Sequence, residues 1–152
     1  MQEKNKRHTE EGSLYTTLIR ETFRLYGCFI QSGDRLAGRF GLNSSRWQVL
    51  GTLADAPYPL TVASLARNLG LQRQSVQRLV DAMKEKGLVD FEDNPHHRRA
   101  KIVVLTEAGR TLFDELAVFQ AQWANEISDG LSPEQLKSTI SLMQTLQARL
   151  KA

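Results

Sequence analysis

Cysteine is nearly absent: Cys28 is the one thiol in 152 residues. No disulfide can close within the chain, which fits a reducing cytosol. Membrane-spanning character is missing as well, since no apolar run approaches the roughly 18 residues a span needs. Residues 1–12 are charged and aperiodic and lack the apolar segment of a signal peptide, so they read as a mobile tail. A cytoplasmic location with no membrane partner is the expectation. Histidine is scarce too. His96 and His97 are adjacent and His8 lies in the tail, a spacing that makes no dedicated metal site. Nucleophile-elbow and phosphate-loop motifs do not occur, which argues against catalytic residues, a cofactor and an enzyme of either kind.

The most informative absence is of acid. Between Asp55 and Asp81 there is no carboxylate, while Arg67, Arg73 and Arg78 fall inside the gap. A second acid-free window, residues 94–106, carries Arg98, Arg99 and Lys101. Asp81, Glu85, Asp90, Glu92 and Asp93 lie between the windows, so the region is not uniformly basic. Acid is missing where a polyanion would approach. Duplex DNA is held largely through Lys and Arg at phosphates, and a misplaced carboxylate opposes that gain. Net charge is only +3. Its distribution says more: residues 61–101 hold eight Lys/Arg against five Asp/Glu, and residues 102–152 hold four against six.

Apolar periodicity organises the chain. Leu14, Leu18, Leu25, Phe29, Leu36 and Phe40 follow helical spacing, which predicts a long helix over about 13–36 with Ser13 as its cap. A second helix starts near Ser44, with Trp47, Leu50 and Leu53 inward, and ends at the Pro57 and Pro59 segment. Thr61 caps a short helix, Gly70 supplies a turn, and the next helix runs from about Arg73 to Lys86 before Gly87. Two strands, 88–93 and 101–105, flank a polar loop. Thr106 caps a helix carrying Leu112, Leu116, Phe119, Trp123 and Ile127. Ser132, Pro133 and Gln135 then open the last helix with a capping box.

Helix, turn, helix and hairpin make the winged helix-turn-helix arrangement, whose second helix enters the major groove. At about 100° per residue, Val76, Leu79, Val80 and Met83 gather on one face and Gln74, Gln77, Arg78, Asp81 and Glu85 on the other. The first turns offer Arg73, Gln74, Ser75, Gln77 and Arg78. Gln pairs with adenine and Arg with guanine through two hydrogen bonds each. An ordinary solvated face is the bland alternative for this helix alone; the acid-free windows favour DNA.

Residues 65–89 (LARNLGLQRQSVQRLVDAMKEKGLV) followed by 94–110 (NPHHRRAKIVVLTEAGR) resemble the MarR family of bacterial transcriptional regulators. That family tends to show Asp-Pro-x-Asp-Arg-Arg in the wing and then Leu-Thr-x-x-Gly. This chain keeps Pro95, Arg98, Arg99, Leu105, Thr106 and Gly109, and departs at Asn94 and His97. His97 removes an anion that would pair with an arginine and stiffen the wing. The resemblance implies Arg98 in the minor groove, Arg99 bracing the hairpin or touching phosphate, and a homodimer on a pseudo-palindromic operator.

The expected fold is therefore mainly α: a winged helix-turn-helix with a two-stranded β wing and a helical dimerisation region formed by the N- and C-terminal helices. After the tail of residues 1–12, residues 13–152 form one domain. Within it, 13–43 and 106–152 dimerise and 44–105 bind DNA. The expected DNA contacts are Arg67, Arg73, Gln74, Ser75, Gln77, Arg78, Arg98 and Arg99. Phe23, Tyr26, Trp47, Phe119 and Trp123 either line a pocket for a small aromatic or phenolic effector, as the resemblance implies, or serve as plain core. Cys28 has apolar neighbours and no activating cation, so a buried structural thiol is expected; oxidant sensing, known in the resembled family, is the alternative. The expected function is an effector-released homodimeric repressor. The rival from another class is a helical protein-interaction dimer whose winged helix binds no DNA.

Overall fold

A computed structural model describes residues 8–151. Residues 1–7 of the expected tail lie outside the described residues. Nine elements follow in order: α1 (Glu10–Gly38), α2 (Ser44–Asp55), β1 (Leu60–Thr61), α3 (Val62–Leu69), α4 (Arg73–Glu85), β2 (Val89–Glu92), β3 (Ile102–Leu105), α5 (Glu107–Ser128) and α6 (Pro133–Lys151). The chain divides into two compact units, one ending at Leu116 and the other beginning at Ala117, with α5 passing from the first into the second.

The first unit is built around Leu50, Leu60, Leu65, Val76, Val80, Met83, Val89 and Leu116, all fully buried. Of the residues expected to face inward on α2, Leu50 is buried, while Trp47 and Leu53 are partly buried against this core. Helix α1 starts earlier than its apolar pattern suggests. Thr9, not Ser13, is the cap, accepting from the Gly12 amide at 3.1 Å. Glu10 and Glu11 then occupy the first turn, where carboxylates suit the positive end of the helix. Only the far end of the α1 stripe is packed: Gly33 and Ala37 are buried and Leu36 and Phe40 lie against the core, whereas Leu14, Leu25 and Phe29 are exposed.

The expected two-stranded hairpin is present, with Val89 opposite Leu105 and Phe91 opposite Val103 in antiparallel register. It carries a third strand that the sequence does not announce. β1 pairs antiparallel on the other side of β3, Leu60 opposite Val103, giving the sheet order β1-β3-β2. Thr61 ends that strand and also caps α3, its hydroxyl accepting from the Ser64 amide at 3.2 Å. The cap therefore ties the sheet to the start of the helix-turn-helix.

Thr106 has a similar double role at the other end of the wing. Its oxygen accepts from the Gly109 amide at 3.0 Å, capping α5, and its hydroxyl donates to the Gly87 carbonyl at 2.6 Å. In the second unit, Gly130 takes φ +75° in the turn before α6. Ser132 caps α6 as expected, accepting from the Gln135 amide at 3.4 Å. α6 buries none of its residues.

Candidate nucleic-acid interface

The outward face of α4 is imposed by its inward one. Val76, Val80 and Met83 are sealed in the core, so the helix cannot roll, and Arg73, Gln74, Ser75 and Arg78 are held exposed. Gly70 sets the angle of approach. It sits in the left-handed region at φ 66°, where a side chain would be strained, and Leu71 donates back to the Ala66 carbonyl at 3.0 Å. At about 100° per residue, Arg73 and Gln77 share one edge of the exposed face, and Gln74 and Arg78 lie roughly a quarter turn away. Gln77 is half-buried, and its Nε2 donates to Asp81 Oδ1 at 2.9 Å.

α4 also begins differently from its neighbours. Side chains of Thr9, Asn43, Thr61, Thr106 and Ser132 cap the other five helices. Gln72 makes no such bond at the start of α4, and the first turn holds no acid. The amides of that turn and the positive end of the helix are left open to an anion beside Arg73 and Gln74.

The wing loop is ordered by its own backbone. Asn94 Oδ1 accepts from the His96 amide at 3.0 Å, the His97 amide donates to the Asn94 carbonyl at 3.2 Å, and the Ala100 amide donates to the His97 carbonyl at 3.1 Å. Asn94 thus makes the turn that an aspartate there would make. Arg98 and Arg99 are exposed, and no ion pair among the described residues engages them.

Two of the five intervening acids are paired with lysines. Among the described residues of this lobe, the ion pairs are Lys84 with Asp90 and Lys101 with Asp93, the latter at 3.9 Å. The Lys84 ammonium bonded to Asp90, helped by the Phe91 amide, holds the Asp90 carboxyl below its ordinary value. Lys84 also lies over the Phe91 ring, 5.4 Å from its centre. Arg67 reaches only the Ser64 hydroxyl, at 3.3 Å. Among the described residues no ion pair engages Arg67, Arg73, Arg78, Arg98 or Arg99.

Two of these arginines converge. Arg73 and Gln77 of α4, Arg99 and Lys101 of the wing, and Thr61 with the start of α3 line one hollow of about 180 Å³. Lys101 belongs to the second acid-free window but not to the expected contact set; only the tertiary fold brings it to this place. A larger hollow of about 500 Å³ lies beside β3, between Tyr58, Pro59 and Arg110, and its Glu92 and Glu107 make it mixed in charge.

Phe23 and Tyr26 are exposed on α1, Trp47 is partly buried, and Phe119 and Trp123 belong to the second unit. Plain core thus does not describe Phe23 or Tyr26. Cys28 is likewise exposed, correcting the expectation of a buried thiol. Its apolar neighbours are real, but this stretch of α1 lies before the packed end at Gly33 and Ala37.

A buried helix-turn-helix, an outward recognition face and a basic wing define a winged-helix DNA-binding lobe. The family model described as the MarR family matches residues 40–100, which run from before α2 through the wing loop. An uncharacterized protein of Mycobacterium tuberculosis is 34% identical over 135 residues, covering 89% of this chain and 93% of its own. The fold matches the MarR/EmrR family transcriptional regulator from Acinetobacter sp. ADP1 with a TM-score of 0.81 at 17% identity, over 91% of this chain and 97% of that one. It also matches CouR from Rhodococcus jostii RHA1, solved bound to p-coumaroyl-CoA, with a TM-score of 0.74 at 23% identity, over 81% and 86%. The chain belongs to the MarR family. It is a DNA-binding transcriptional regulator and not an enzyme. No helix among the described residues is long and apolar enough to cross a membrane.

Proposed function

We propose that the protein is a cytoplasmic homodimeric repressor, released from a pseudo-palindromic operator by a small aromatic or phenolic effector. The observation that carries the dimer is the bare apolar face of α1, where Leu14 is 64% exposed, Phe29 51% and Leu25 42%. A soluble chain seldom leaves so much contiguous apolar surface to water, and a second copy covers it. Residues 13–43 and 106–152 form the dimer region in this reading, and 44–105 the DNA-binding lobe.

Each lobe places α4 in a major groove. Gln74, Ser75 and Arg78 face base edges, Gln77 is held by Asp81, and Arg98 enters the adjacent minor groove. Arg67, Arg73 and Arg99 meet phosphates. Two such helices must fit major grooves about 34 Å apart. A ligand that binds one spacing better than the other therefore shifts the protein on or off its site. Support for an effector comes from the CoA thioester bound by the Rhodococcus regulator of the same fold. Phe23, Tyr26 and Trp47 are the aromatic side chains of the first unit proposed to line its site.

The test is selection from a random duplex pool, with light scattering of the free protein. An inverted repeat with half-sites one helical turn apart, bound by a dimer, is expected. Enrichment of a single unrepeated element by a monomer would overturn the dimeric reading. Loss of all binding on modest addition of salt, with no enriched sequence, would overturn specific recognition.

A further inference from the structure

The hollow between α4 and the wing gathers like charges. Arg73 comes from the first turn of the recognition helix, Arg99 and Lys101 from the far side of the hairpin loop, and all three line the same space of about 180 Å³. Among the described residues neither arginine is in an ion pair, and the Lys101 contact with Asp93 is long, at 3.9 Å. Bringing three cations together is unfavourable unless an anion fills the space between them. Position says which anion. A helix in a major groove and a loop in the neighbouring minor groove must bracket the sugar–phosphate strand that separates the two grooves. The hollow lies between that helix and that loop.

We propose that this hollow is a clamp for one backbone phosphate of the duplex, held from one side by Arg73 and from the other by Arg99 and Lys101. The proposal rests on the DNA-binding reading and sharpens it. Arg73, read from sequence as one of the groove-facing residues, holds backbone, and Arg99 does so in preference to bracing the hairpin. The clamp sets the distance between α4 and the wing, and so couples the register of Gln74 and Arg78 to that of Arg98. Arg73 and Arg99 are thus positioning residues for base readout and carry no sequence information of their own.

The test is a scan of the selected duplex with single neutral methylphosphonate linkages, against wild type, Arg73→Ala, Arg99→Ala and Arg78→Ala. Per half-site, both clamp variants should lose roughly tenfold in affinity and about 0.9 from the salt slope. One linkage position in each half-site should weaken the wild type and Arg78→Ala more than it weakens either clamp variant, each of which has already lost one hold on that phosphate. If the two clamp variants lose sensitivity at different positions, or at none, the arginines do not share a phosphate and the clamp is overturned. Unfolding curves matching the wild type exclude a folding defect in either exposed-residue variant. A wild type that binds no duplex at all overturns the DNA-binding reading itself, before any variant is compared.

Discussion

A Cβ on Gly109 would lie 2.0 Å from the carbonyl oxygen of Leu88. The first turn of α5 is packed directly on the backbone where α4 passes into β2, and only a hydrogen fits between them. The Thr106 bond to the Gly87 carbonyl fastens the same junction. Together they give the Leu-Thr-x-x-Gly pattern a physical meaning: the threonine ties the helix down and the glycine permits the contact. Gly109→Ala should cost about 1–3 kcal/mol, the usual range for forcing a methyl into filled space. Urea unfolding checks this; an unchanged midpoint would mean that the helix can shift freely at this point.

Another corner sits between α1 and α2, where the Ser44 amide donates to Asp34 Oδ1 at 2.8 Å and the Ser44 hydroxyl donates to the Ile30 carbonyl at 2.9 Å. The Ser44 amide holds the Asp34 carboxyl below its ordinary 3.8. A depressed carboxylate contributes stability above 3.8 and loses it as pH falls through the lowered folded value. Asp34→Asn should therefore be less stable than wild type near neutrality, with the gap closing in acid below 3.8. Denaturation midpoints across that range provide the readout, and a pH-independent gap would assign the effect to shape alone.

Much of this architecture is legible locally. Thr61, Thr106 and Ser132 announce helix starts, and Gly70 and Gly87 announce turns, because caps and left-handed residues act within a few positions of themselves. The buried face of α4 can likewise be read from Val76, Val80 and Met83. What escapes is set by partners distant in sequence. β1 is two residues long, too short for any period, and exists because β3 offers Val103 and Ile102 to pair with. Cys28 looks internal by its neighbours, yet the packed part of α1 lies further on. Lys101 reads as one basic residue among several until the fold brings it opposite Arg73. The acid-free windows point to the interface; they do not reveal that Asp81 engages Gln77 or that Arg73 lines one hollow with Arg99 and Lys101.

Base readout is tested at Arg78. It lies on the exposed face of α4, away from the hollow shared by Arg73 and Arg99, and has no acid partner. Arg78→Ala should cost about 1–3 kcal/mol on the selected site and relax preference at one base pair. Equal losses on selected and random duplexes, measured at one salt concentration, would move Arg78 to the phosphate backbone.

The proposed dimer depends on the last helix as well as the first. α6 exposes Leu136, Ile140, Leu142, Met143 and Leu150, the last at 75%, so this helix has a long apolar face without cover of its own. A chain ended before Ser132 should no longer form the wild-type dimer and should run as monomer or aggregate in sedimentation. A soluble, folded dimer of the shortened chain would place the interface elsewhere.

The wing gives the last prediction. Arg98 follows a loop tightened by Asn94 and His97, is exposed, and is absent from the hollow that holds Arg99. A guanidinium presented this way gains most in a narrow A·T-rich minor groove, where the negative potential is deepest. Arg98→Ala should therefore weaken binding most on sites flanked by A·T tracts and narrow the difference between A·T-flanked and G·C-flanked duplexes. Arg99→Ala should weaken both flanks alike, because a phosphate is present whatever the sequence. Competition between the two flank types at constant salt separates the cases. If Arg98→Ala lowers affinity equally on both, Arg98 stands on the backbone and the groove-reading role falls to another residue of the loop.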